Sequence, residues 1–398
     1  MQAGGEDVVF QTESELLSNH GHIVDQLIFD NASIKSFFDR ILSGLRLLYN
    51  PVSARLLQKR IQQFSPDIIH VHNFVLVASP SILYVAAKFK VPVVLTLHNF
   101  RLICPSATLF FKGKIYEKSL RAFFPIDAIA KRVYRGSFIQ TAAIALMAVI
   151  HNLIGTWENK VEAFIVLSQF AKRKFESSRL QIDHSKFLIK GNAVDDRGSG
   201  KPVREDFFLY VGRLSEEKGI RTLLNASTIH GFQLVILGDG PLRTLVENAA
   251  RDNPLIKYMG FQNRETITSY IKSCQCLILP SVCYEGFPMT VLEAMSTGTM
   301  ILASRLGAIE EIIHDRINGV LFEAGNEKDL ASKIAAIQDH QLDSLTISEH
   351  ARASYLAHYT PEKNYAMLMK IYYGILARRA QQLWTKNLVD LNEAAWCK

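Results

Sequence analysis

Two glutamates stand close together in the second half of the chain, directly after the apolar run 276–279. Glu285 lies in a loop, and Glu293 follows eight positions later, a little over two helical turns along. A loop that leads from a strand into a helix forms an anion site, because the free N–H groups of the first helical turn point outward. Two carboxylates would repel a phosphate bound there, so we interpret them as acceptors for sugar hydroxyls beside it. A capped helix with two surface glutamates remains the alternative.

Two cations follow a different apolar run, at 207–211. Gly212 ends that run, and a short loop then carries Arg213 and Lys218 toward the next predicted helix. A guanidinium offers a fork of donors that suits phosphate oxygens, and an ammonium offers a point charge. Open α/β sheets bind ligands beyond the carboxyl ends of their strands, which is where both residues fall. The spacing predicts a phosphate site, and two solvated surface charges are the alternative.

A Gly-x-Gly pair, Gly238 and Gly240, follows the apolar run 233–237. It is similar to the start of a dinucleotide-binding fingerprint, but Arg243 stands where the third glycine would be. The pair is therefore weak support for a nicotinamide cofactor. It indicates a tight turn or a close approach of the backbone to a ligand.

Short apolar runs alternate with helical patterns along the whole chain, which is typical of parallel sheets covered on both faces. The predicted strands are 23–29, 67–72, 92–98, 163–167, 186–189, 207–211, 233–237, 256–259, 276–279, 300–303 and 320–322. Helices are predicted at 45–64, at 266–273 and from 361 to about 382. The polar segment 195–202 separates the two sets of strands, so we place a domain boundary there.

The composition restricts the class of protein further. The chain has 398 residues, 48% apolar and 21% charged, which suits two or three globular domains and excludes a disordered or collagen-like chain. The net charge of +7 favours phosphates or anionic lipid as partners and is too small to imply nucleic acid. Five cysteines without a CxxC spacing indicate reduced thiols, and the polar start of the chain predicts no signal peptide. We therefore expect a cytoplasmic protein.

The longest uncharged stretch, 136–157, could cross a membrane by its length alone. On a helix at about 100° per residue, however, its polar residues form one stripe that a spanning helix would not need. We expect an amphipathic helix over 137–157. Its apolar face either packs on its own domain or lies on an anionic membrane. The basic flank of Lys131, Arg132 and Arg135, together with Trp157, supports the second alternative.

The chain contains six sequence motifs in a fixed order. The first half contains GGEDVVF, HGH and TLHNFRLICP, and the second half contains VGRLSEEKG, LGDGP and EGFPMTVLEAMSTG. Together they resemble a family 4 retaining glycosyltransferase with the GT-B fold, over nearly the whole chain. The resemblance implies an α/β architecture of two Rossmann-like domains whose parallel sheets face each other across a cleft. Residues 1–195 would bind the acceptor, 196–360 would bind a nucleotide-sugar, and a final helix at about 361–398 would pack back on the first domain.

The chain departs from that family at its start. Gly4 and Gly5 stand near the first residue, with no strand pattern before them. The first strand of the N-terminal domain is therefore expected to be missing, which would leave an open slot beside its neighbours.

The resemblance also implies a role for each motif residue. Arg213 and Lys218 would neutralise the diphosphate as the glycosidic bond breaks. Glu285 would contact the transferred sugar and Glu293 the ribose hydroxyls, while His98 would face the reacting sugar from across the cleft. The remaining donor-binding positions are Gly5, Gly212, Gly238, Gly240, Gly286, Phe287, Met289 and Thr290.

No metal and no cofactor is implied, because the two cations would neutralise the leaving group. His70 and His72 lie on one face of a predicted strand, but no further ligand pattern follows them. The expected partners are a nucleotide-diphosphate sugar, a glycan or polyprenyl-linked glycan acceptor, and an anionic membrane at the inner face of the plasma membrane. These expected partners indicate a role in surface polysaccharide or lipopolysaccharide biosynthesis. A catalytically inactive sugar-nucleotide-binding protein and a nicotinamide-dependent oxidoreductase remain as alternatives.

Overall fold

The computed structural model describes residues 5–29, 46–73, 78–201 and 203–396, with every side chain except those of 383 and 386–396. Ten of the eleven predicted strands are present, and their ends differ from the prediction by at most two residues. The strands belong to two parallel sheets, one formed by each half of the chain.

The first sheet has four strands in the order β1-β2-β5-β6, and all neighbours are parallel. Its strands are β1 (Ile69–His72), β2 (Val93–Leu97), β5 (Ala163–Val166) and β6 (Phe187–Ile189), and a small antiparallel pair, β3 (Phe110–Phe111) and β4 (Lys114–Ile115), lies apart from it. The helices of this half are α1 (Gly5–Asn19), α2 (Pro51–Phe64), α3 (Ser81–Lys88), α4 (Ile126–Ala130), α5 (Phe138–Leu153), α6 (Thr156–Lys160) and α7 (Gln169–Glu176). β2 and β5 are buried along their whole length, as expected for central parallel strands.

The second sheet has six parallel strands in the order β12-β11-β10-β7-β8-β9. They are β7 (Glu205–Val211), β8 (Leu234–Leu237), β9 (Ile256–Tyr258), β10 (Cys274–Leu279), β11 (Met300–Arg305) and β12 (Val320–Glu323). The helices that alternate with them are α8 (Ile220–Ile229), α9 (Arg243–Asp252), α10 (Arg264–Ser273), α11 (Met289–Ser296), α12 (Ile309–Ile312), α13 (Glu327–Gln338) and α14 (Ser344–His358). Apolar side chains fill both faces of this sheet, so α-helices cover it on two sides.

The last helix, α15 (Pro361–Trp396), returns to the first sheet. Leu368, Tyr372 and Ile375 are buried in one apolar cluster with Val94 and Ile165 of β2 and β5. The helix α15 therefore covers the face of the first sheet on which Val94 and Ile165 lie.

The predicted strand at 23–29 is wrong. Residues 22–29 form no regular structure, and β1 is an edge strand that pairs only with β2 among the described strands. Leu27 and Phe29 pack on the core, whereas Ile23 is 86% exposed. An alternating apolar pattern becomes a strand only where a neighbour pairs with its N–H and C=O groups. The expected absence of a first strand concerns residues before Gly5, which lie outside the described residues.

The predicted helix at 45–64 is divided. Its main part, α2, begins at Pro51, and residue 45 lies outside the described residues. Asn50 has an extended backbone, and its side chain accepts hydrogen bonds from the N–H groups of Val52 and Ser53. An asparagine cap followed by proline starts a new helix, because proline lacks the N–H that an earlier turn would need.

The predicted helix at 137–157 is also divided. α5 ends at Leu153, and Gly155, with φ of 67°, separates it from α6. Trp157 is fully buried, so the interpretation that it supports membrane contact is wrong. No helix among the described residues combines the length and the apolar content that a membrane span requires.

The polar stripe of α5 faces inward. Thr141, His151 and Asn152 are buried, and the His151 ring contacts the Thr156 hydroxyl at 2.8 Å. The Asn152 Oδ1 accepts a hydrogen bond from the Gln181 N–H at 2.9 Å. The outward stripe is apolar and 42–69% exposed, and it consists of Phe138, Ile139, Leu146, Leu153 and Ile154. We call these five residues the outer face of α5.

Candidate active site

Lys218 and Glu285 form an ion pair at the carboxyl end of the second sheet. Lys218 lies in a short 3-10 turn after β7, and Glu285 lies in the loop after the neighbouring strand β10. The Lys218 Nζ is 2.7 Å from Oε1 and 2.9 Å from Oε2 of Glu285. The sequence predicted both residues for one site, and the structure brings their charged groups into contact.

A close backbone approach holds this ion pair in place. Gly219 ends the turn of Lys218 with φ of 72°, and a β-carbon there would lie 1.7 Å from the carbonyl oxygen of Pro280. The N–H of Val282 donates to the Glu217 carbonyl at 3.0 Å. Only glycine permits both this φ and this contact. The loops after β7 and β10 are therefore locked together.

The environment of the pair favours its charged form. Glu285 is buried, and Ser281 donates a hydrogen bond from its Oγ to Oε1 of Glu285. Burial alone would lower the pKa of the Lys218 ammonium, but the Glu285 carboxylate raises it, so the pKa lies above its usual value. Sequence reasoning assigned no role to Ser281, because a single serine in a loop carries no signal of its own.

His98 follows β2 in the first sheet, and its backbone meets the loop of Glu285. A β-carbon at Gly286 would lie 2.8 Å from the carbonyl oxygen of His98 and 3.8 Å from Leu167 Cδ1. The loops after β2 and β5 of the first sheet thus contact the loop after β10 of the second. The two predicted halves of the site adjoin each other at Gly286.

Arg213 and Glu293 are not joined to that ion pair by any contact between described residues. The Arg213 side chain is exposed and forms no ion pair with any residue that the structure describes, while its carbonyl accepts a hydrogen bond from the Tyr210 hydroxyl at 2.8 Å. Glu293 lies on α11 and forms no side-chain hydrogen bond or close ion pair with another described residue; burial raises the pKa of its carboxyl group, although Arg264 and Arg197 oppose that change. Two of the four predicted charged residues, Lys218 and Glu285, are therefore paired with each other, and Arg213 and Glu293 take no part in that pair.

The predicted donor-site glycines lie at strand ends or at the start of a helix. Gly212 follows β7, and its N–H donates to the Leu237 carbonyl at 3.0 Å. Gly238 and Gly240 follow β8. Gly5 opens α1, where a β-carbon would lie 3.9 Å from Met289 Cγ.

The start of α11 offers backbone donors. The helix begins at Met289, followed by Thr290, and no side chain caps it. Its first N–H groups are therefore available to an anion. The side chain of Phe287, which precedes α11, packs against other residues: its ring lies 5.9 Å from the Tyr359 ring and contacts Gly191. Phe287 thus supports the loop with its side chain.

A buried cluster of polar groups lies behind His98, and the sequence did not reveal it. The His98 Nε2 is 3.0 Å from the His72 Nδ1, and the His72 Nε2 is 3.5 Å from Oε2 of Glu13 on α1. Oε1 of Glu13 pairs with the Lys190 Nζ at 2.5 Å. Burial alone would raise the pKa of Glu13, but Lys190 and His72 lower it overall. Only the alternation of His70 and His72 hinted at this cluster.

One ligand atom from each of Glu13, His70 and His72 lies within 4.8 Å of the others, a spacing that a metal ion could use. The set does not fit a metal well, because both nitrogens of His70 already contact hydroxyls at 2.7 Å. The ammonium of Lys190 also occupies one oxygen of Glu13. A divalent cation beside a buried ammonium would face strong repulsion. We therefore treat these residues as a hydrogen-bonded cluster.

Two family matches cover most of the chain. Residues 4–197 match the family described as Glycosyltransferase Family 4, and residues 192–354 match the family described as Glycosyl transferases group 1. The chain belongs to the family 4 glycosyltransferases, and its two parallel sheets form the GT-B fold.

Individual relatives are distant. An uncharacterized glycosyltransferase of Methanocaldococcus jannaschii is 32% identical over 37% of this chain and 42% of its own length. An amylovoran biosynthesis glycosyltransferase of Erwinia amylovora is 27% identical over 54% of this chain and 53% of its own. The chain thus spans about half the length of these relatives. The crystal structure of Anabaena HepE in complex with UDP-glucose has a TM-score of 0.62 at 17% identity, covering 93% and 96% of the two chains.

Proposed function

We propose that this protein transfers a sugar from a nucleotide-diphosphate sugar to a glycan or lipid-linked glycan, with retention of configuration, in surface polysaccharide assembly. Residues 196–360 would bind the donor, and 1–195, completed by the last helix, would bind the acceptor. The observation that carries the proposal is the Lys218–Glu285 ion pair, whose loop abuts His98 of the other sheet. Solved relatives of this fold in complex with UDP-glucose, and relatives named for amylovoran biosynthesis, support it.

The ion pair leaves one donor of Lys218 for a phosphate. An ammonium has three donors, and two of those of Lys218 serve the Glu285 oxygens. The third could serve a phosphate oxygen of the donor, with exposed Arg213 as a second cation. Charge that develops on the leaving group would thus be stabilised by groups already in position. Glu285 would hold both Lys218 and a hydroxyl of the transferred sugar.

The transfer would need no nucleophile from the protein. The acceptor hydroxyl oxygen bonds to the anomeric carbon on the face from which the diphosphate departs. The carbon–oxygen bond to the phosphate breaks, and its electron pair stays on the phosphate oxygen. That oxygen then takes the proton of the acceptor hydroxyl, so that the products are a nucleoside diphosphate and a new glycoside.

The acceptor would be presented at an anionic membrane. The outer face of α5 carries five exposed apolar side chains, and Lys131, Arg132 and Arg135, which precede the helix, are exposed as well. Apolar groups that enter the headgroup region beside cations are the features of an interfacial helix. This surface would hold the protein beside a polyprenyl-linked glycan.

A panel of nucleotide-sugars tests the function. We expect one class of donor to raise the melting temperature of the protein, because a ligand that binds the native state stabilises it. With an acceptor glycan present, the same donor should release nucleoside diphosphate and extend the glycan. Stabilisation without release under any condition would support an inactive sugar-nucleotide-binding protein. Stabilisation by a nicotinamide dinucleotide alone would refute the proposal.

A further inference from the structure

We propose that Glu13 is a positioning residue that acts through His72 to fix the tautomer of His98, so that Nδ1 of His98 is a hydrogen-bond acceptor in the reaction. This inference rests on the proposed function, which gives His98 a place beside the reacting sugar.

One carboxylate oxygen of Glu13 requires a hydrogen-bond donor. Glu13 is 6% exposed, and Oε1 already accepts from the Lys190 ammonium. Oε2 is buried and has no hydrogen-bond partner of ordinary geometry within the described part of the chain. Leaving such a buried oxygen without a donor is unfavourable, because its lost hydration is not replaced, so a nearby N–H should serve it.

The nearest candidates are two imidazoles. The His72 Nε2 lies 3.5 Å from Oε2 of Glu13, and the His70 Nδ1 lies 4.0 Å away. The nitrogens of His70 contact the Tyr372 hydroxyl and the Thr96 hydroxyl, each at 2.7 Å. For Nδ1 of His70 the Tyr372 hydroxyl is 1.3 Å closer than Oε2 of Glu13 is, and Nε2 of His70 already contacts the Thr96 hydroxyl. His72 is therefore the donor to Glu13, from Nε2.

The second step follows from the proton count of a neutral imidazole. Burial lowers the pKa of His72 well below its usual value, so one ring nitrogen of His72 carries a hydrogen and the other a lone pair. With the hydrogen on Nε2, Nδ1 of His72 can only accept. Its contact of 3.0 Å with Nε2 of His98 then requires His98 to donate from Nε2.

The same count applies to His98. Burial lowers the pKa of His98 also, although the carboxylates of Glu6 and Glu13 oppose that change. A neutral His98 with its hydrogen on Nε2 has a lone pair on Nδ1. That nitrogen can accept a hydrogen bond from a hydroxyl of the donor sugar or the acceptor, and it cannot donate one. His98 would thus bind a substrate hydroxyl by accepting the hydrogen bond that this hydroxyl donates.

The charged groups around the two imidazoles are Glu6 and Glu13 on α1 and Lys190, which follows β6. The neutral amide of Asn364 on α15 accepts a hydrogen bond through its Oδ1 from the Lys190 Nζ at 3.1 Å. Lys190 compensates the charge of Glu13, so that the cluster can remain buried without protonating either histidine. The helix α15 is thereby connected to the site, because Asn364 accepts a hydrogen bond from Lys190 and Lys190 pairs with Glu13.

Nitrogen-15 NMR of the histidine-labelled full chain tests the tautomer directly. The signals of His98 are assigned by their loss in His98→Gln. We expect the wild type to show a protonated Nε2 and an unprotonated Nδ1 at pH 7.5. A protonated Nδ1 on His98 would overturn the proposal, whatever the activity of the enzyme.

The double variant Glu13→Met/Lys190→Met tests the cause. It removes both charges of the buried pair together, so that neither is left unpaired, and Lys201→Met/Glu205→Met is the exposed control. We expect the buried double variant to shift the His98 tautomer and to lower kcat by tenfold or more at nearly unchanged donor KM. Unchanged His98 signals in a variant that unfolds cooperatively would contradict the role of Glu13.

Metal analysis provides a third outcome. One equivalent of a divalent metal that copurifies with the wild type and is lost in His72→Gln would overturn the assignment, because a metal on Nε2 of His72 replaces its hydrogen. If the protein lacked the proposed transfer activity, NMR would still show which nitrogen of His98 carries the hydrogen. The failure of this inference and the failure of the proposed function are therefore distinguishable.

Discussion

Lys218 and Glu285 are 67 positions apart in the chain, yet the ammonium of the first lies within 2.9 Å of both carboxylate oxygens of the second. They meet because β7 and β10 are adjacent parallel strands whose carboxyl ends share one edge of the sheet. The Lys218 side chain is 30% exposed and α11 begins four residues after Glu285, so we propose that edge as the place where a pyrophosphate binds.

Lys218→Ala should abolish most of the transfer. Removing a positioned cation from a leaving group costs on the order of a hundredfold in kcat. Lys201→Ala is the matched control, because Lys201 also pairs with a glutamate, Glu205, at 2.6 Å but in an exposed position. Nucleoside diphosphate release by both variants is measured with saturating donor. Equal rates for Lys218→Ala and the wild type would remove Lys218 from the mechanism.

Arg213→Ala should reduce transfer without reducing stability. The side chain is exposed and forms no ion pair among the described residues, so its loss should change the free energy of unfolding by less than about 0.5 kcal/mol. Its charge on the donor phosphate should be worth about tenfold or more in kcat/KM. Urea unfolding and donor kinetics check the two parts, with exposed Arg251→Ala as the control. A loss of stability with normal kinetics would indicate a structural role.

Gly286→Ala should separate the loops of the two sheets. The new β-carbon would lie 2.8 Å from the carbonyl oxygen of His98, which is closer than such contacts allow. We expect lower kcat and a raised donor KM, because a small displacement of reacting groups has a large effect on rate. Gly374→Ala is the control, since a β-carbon there meets no atom within 4 Å and alanine favours a helix by about 1 kcal/mol. Kinetics like those of the wild type would show that the contact relaxes freely.

Stability should fall as the pH falls below about 6.5. Burial lowers the pKa values of His70 and His72 well below those of the unfolded chain. The unfolded state then binds more protons than the native state, so the free energy of unfolding decreases on acidification. From pH 6.5 to 5.5 each histidine should contribute about 1 kcal/mol to the loss.

Urea titrations at pH 7.5, 6.5 and 5.5 measure that loss. The double variant His70→Gln/His72→Gln should show a shallower dependence on pH, and the exposed His184→Gln should retain that of the wild type. A wild-type protein with the same stability at all three values would contradict the neutral state of the buried pair.

The outer face of α5 should bind anionic vesicles. Flotation with phosphatidylglycerol vesicles should recover the wild type, and neutral phosphatidylcholine vesicles should recover much less. Ile139→Asp/Leu146→Asp should abolish flotation, because two charges would enter the headgroup region. Ile229→Asp, at a residue 52% exposed on α8, is the control. Flotation of the double variant with wild-type efficiency would remove the membrane part of the proposal.

The sequence predicted the strands well, because buried parallel strands are continuous apolar runs that differ plainly from helical patterns. It predicted wrongly at 23–29, which pairs with none of the described strands. The helix ends were also misplaced at Asn50 and Gly155, where a single residue starts or stops a helix.

The motif residues Lys218 and Glu285 were predictable for one site, since each follows a strand at the same edge of the sheet. Their direct pairing was not, because it depends on the order of the strands, which no local pattern specifies. Glu13 was beyond sequence reasoning altogether: a lone glutamate in a helix ordinarily faces water. Only the packing of α1 and α15 against the first sheet buries it beside Lys190 and two histidines, because long-range contacts decide which polar groups lose their water.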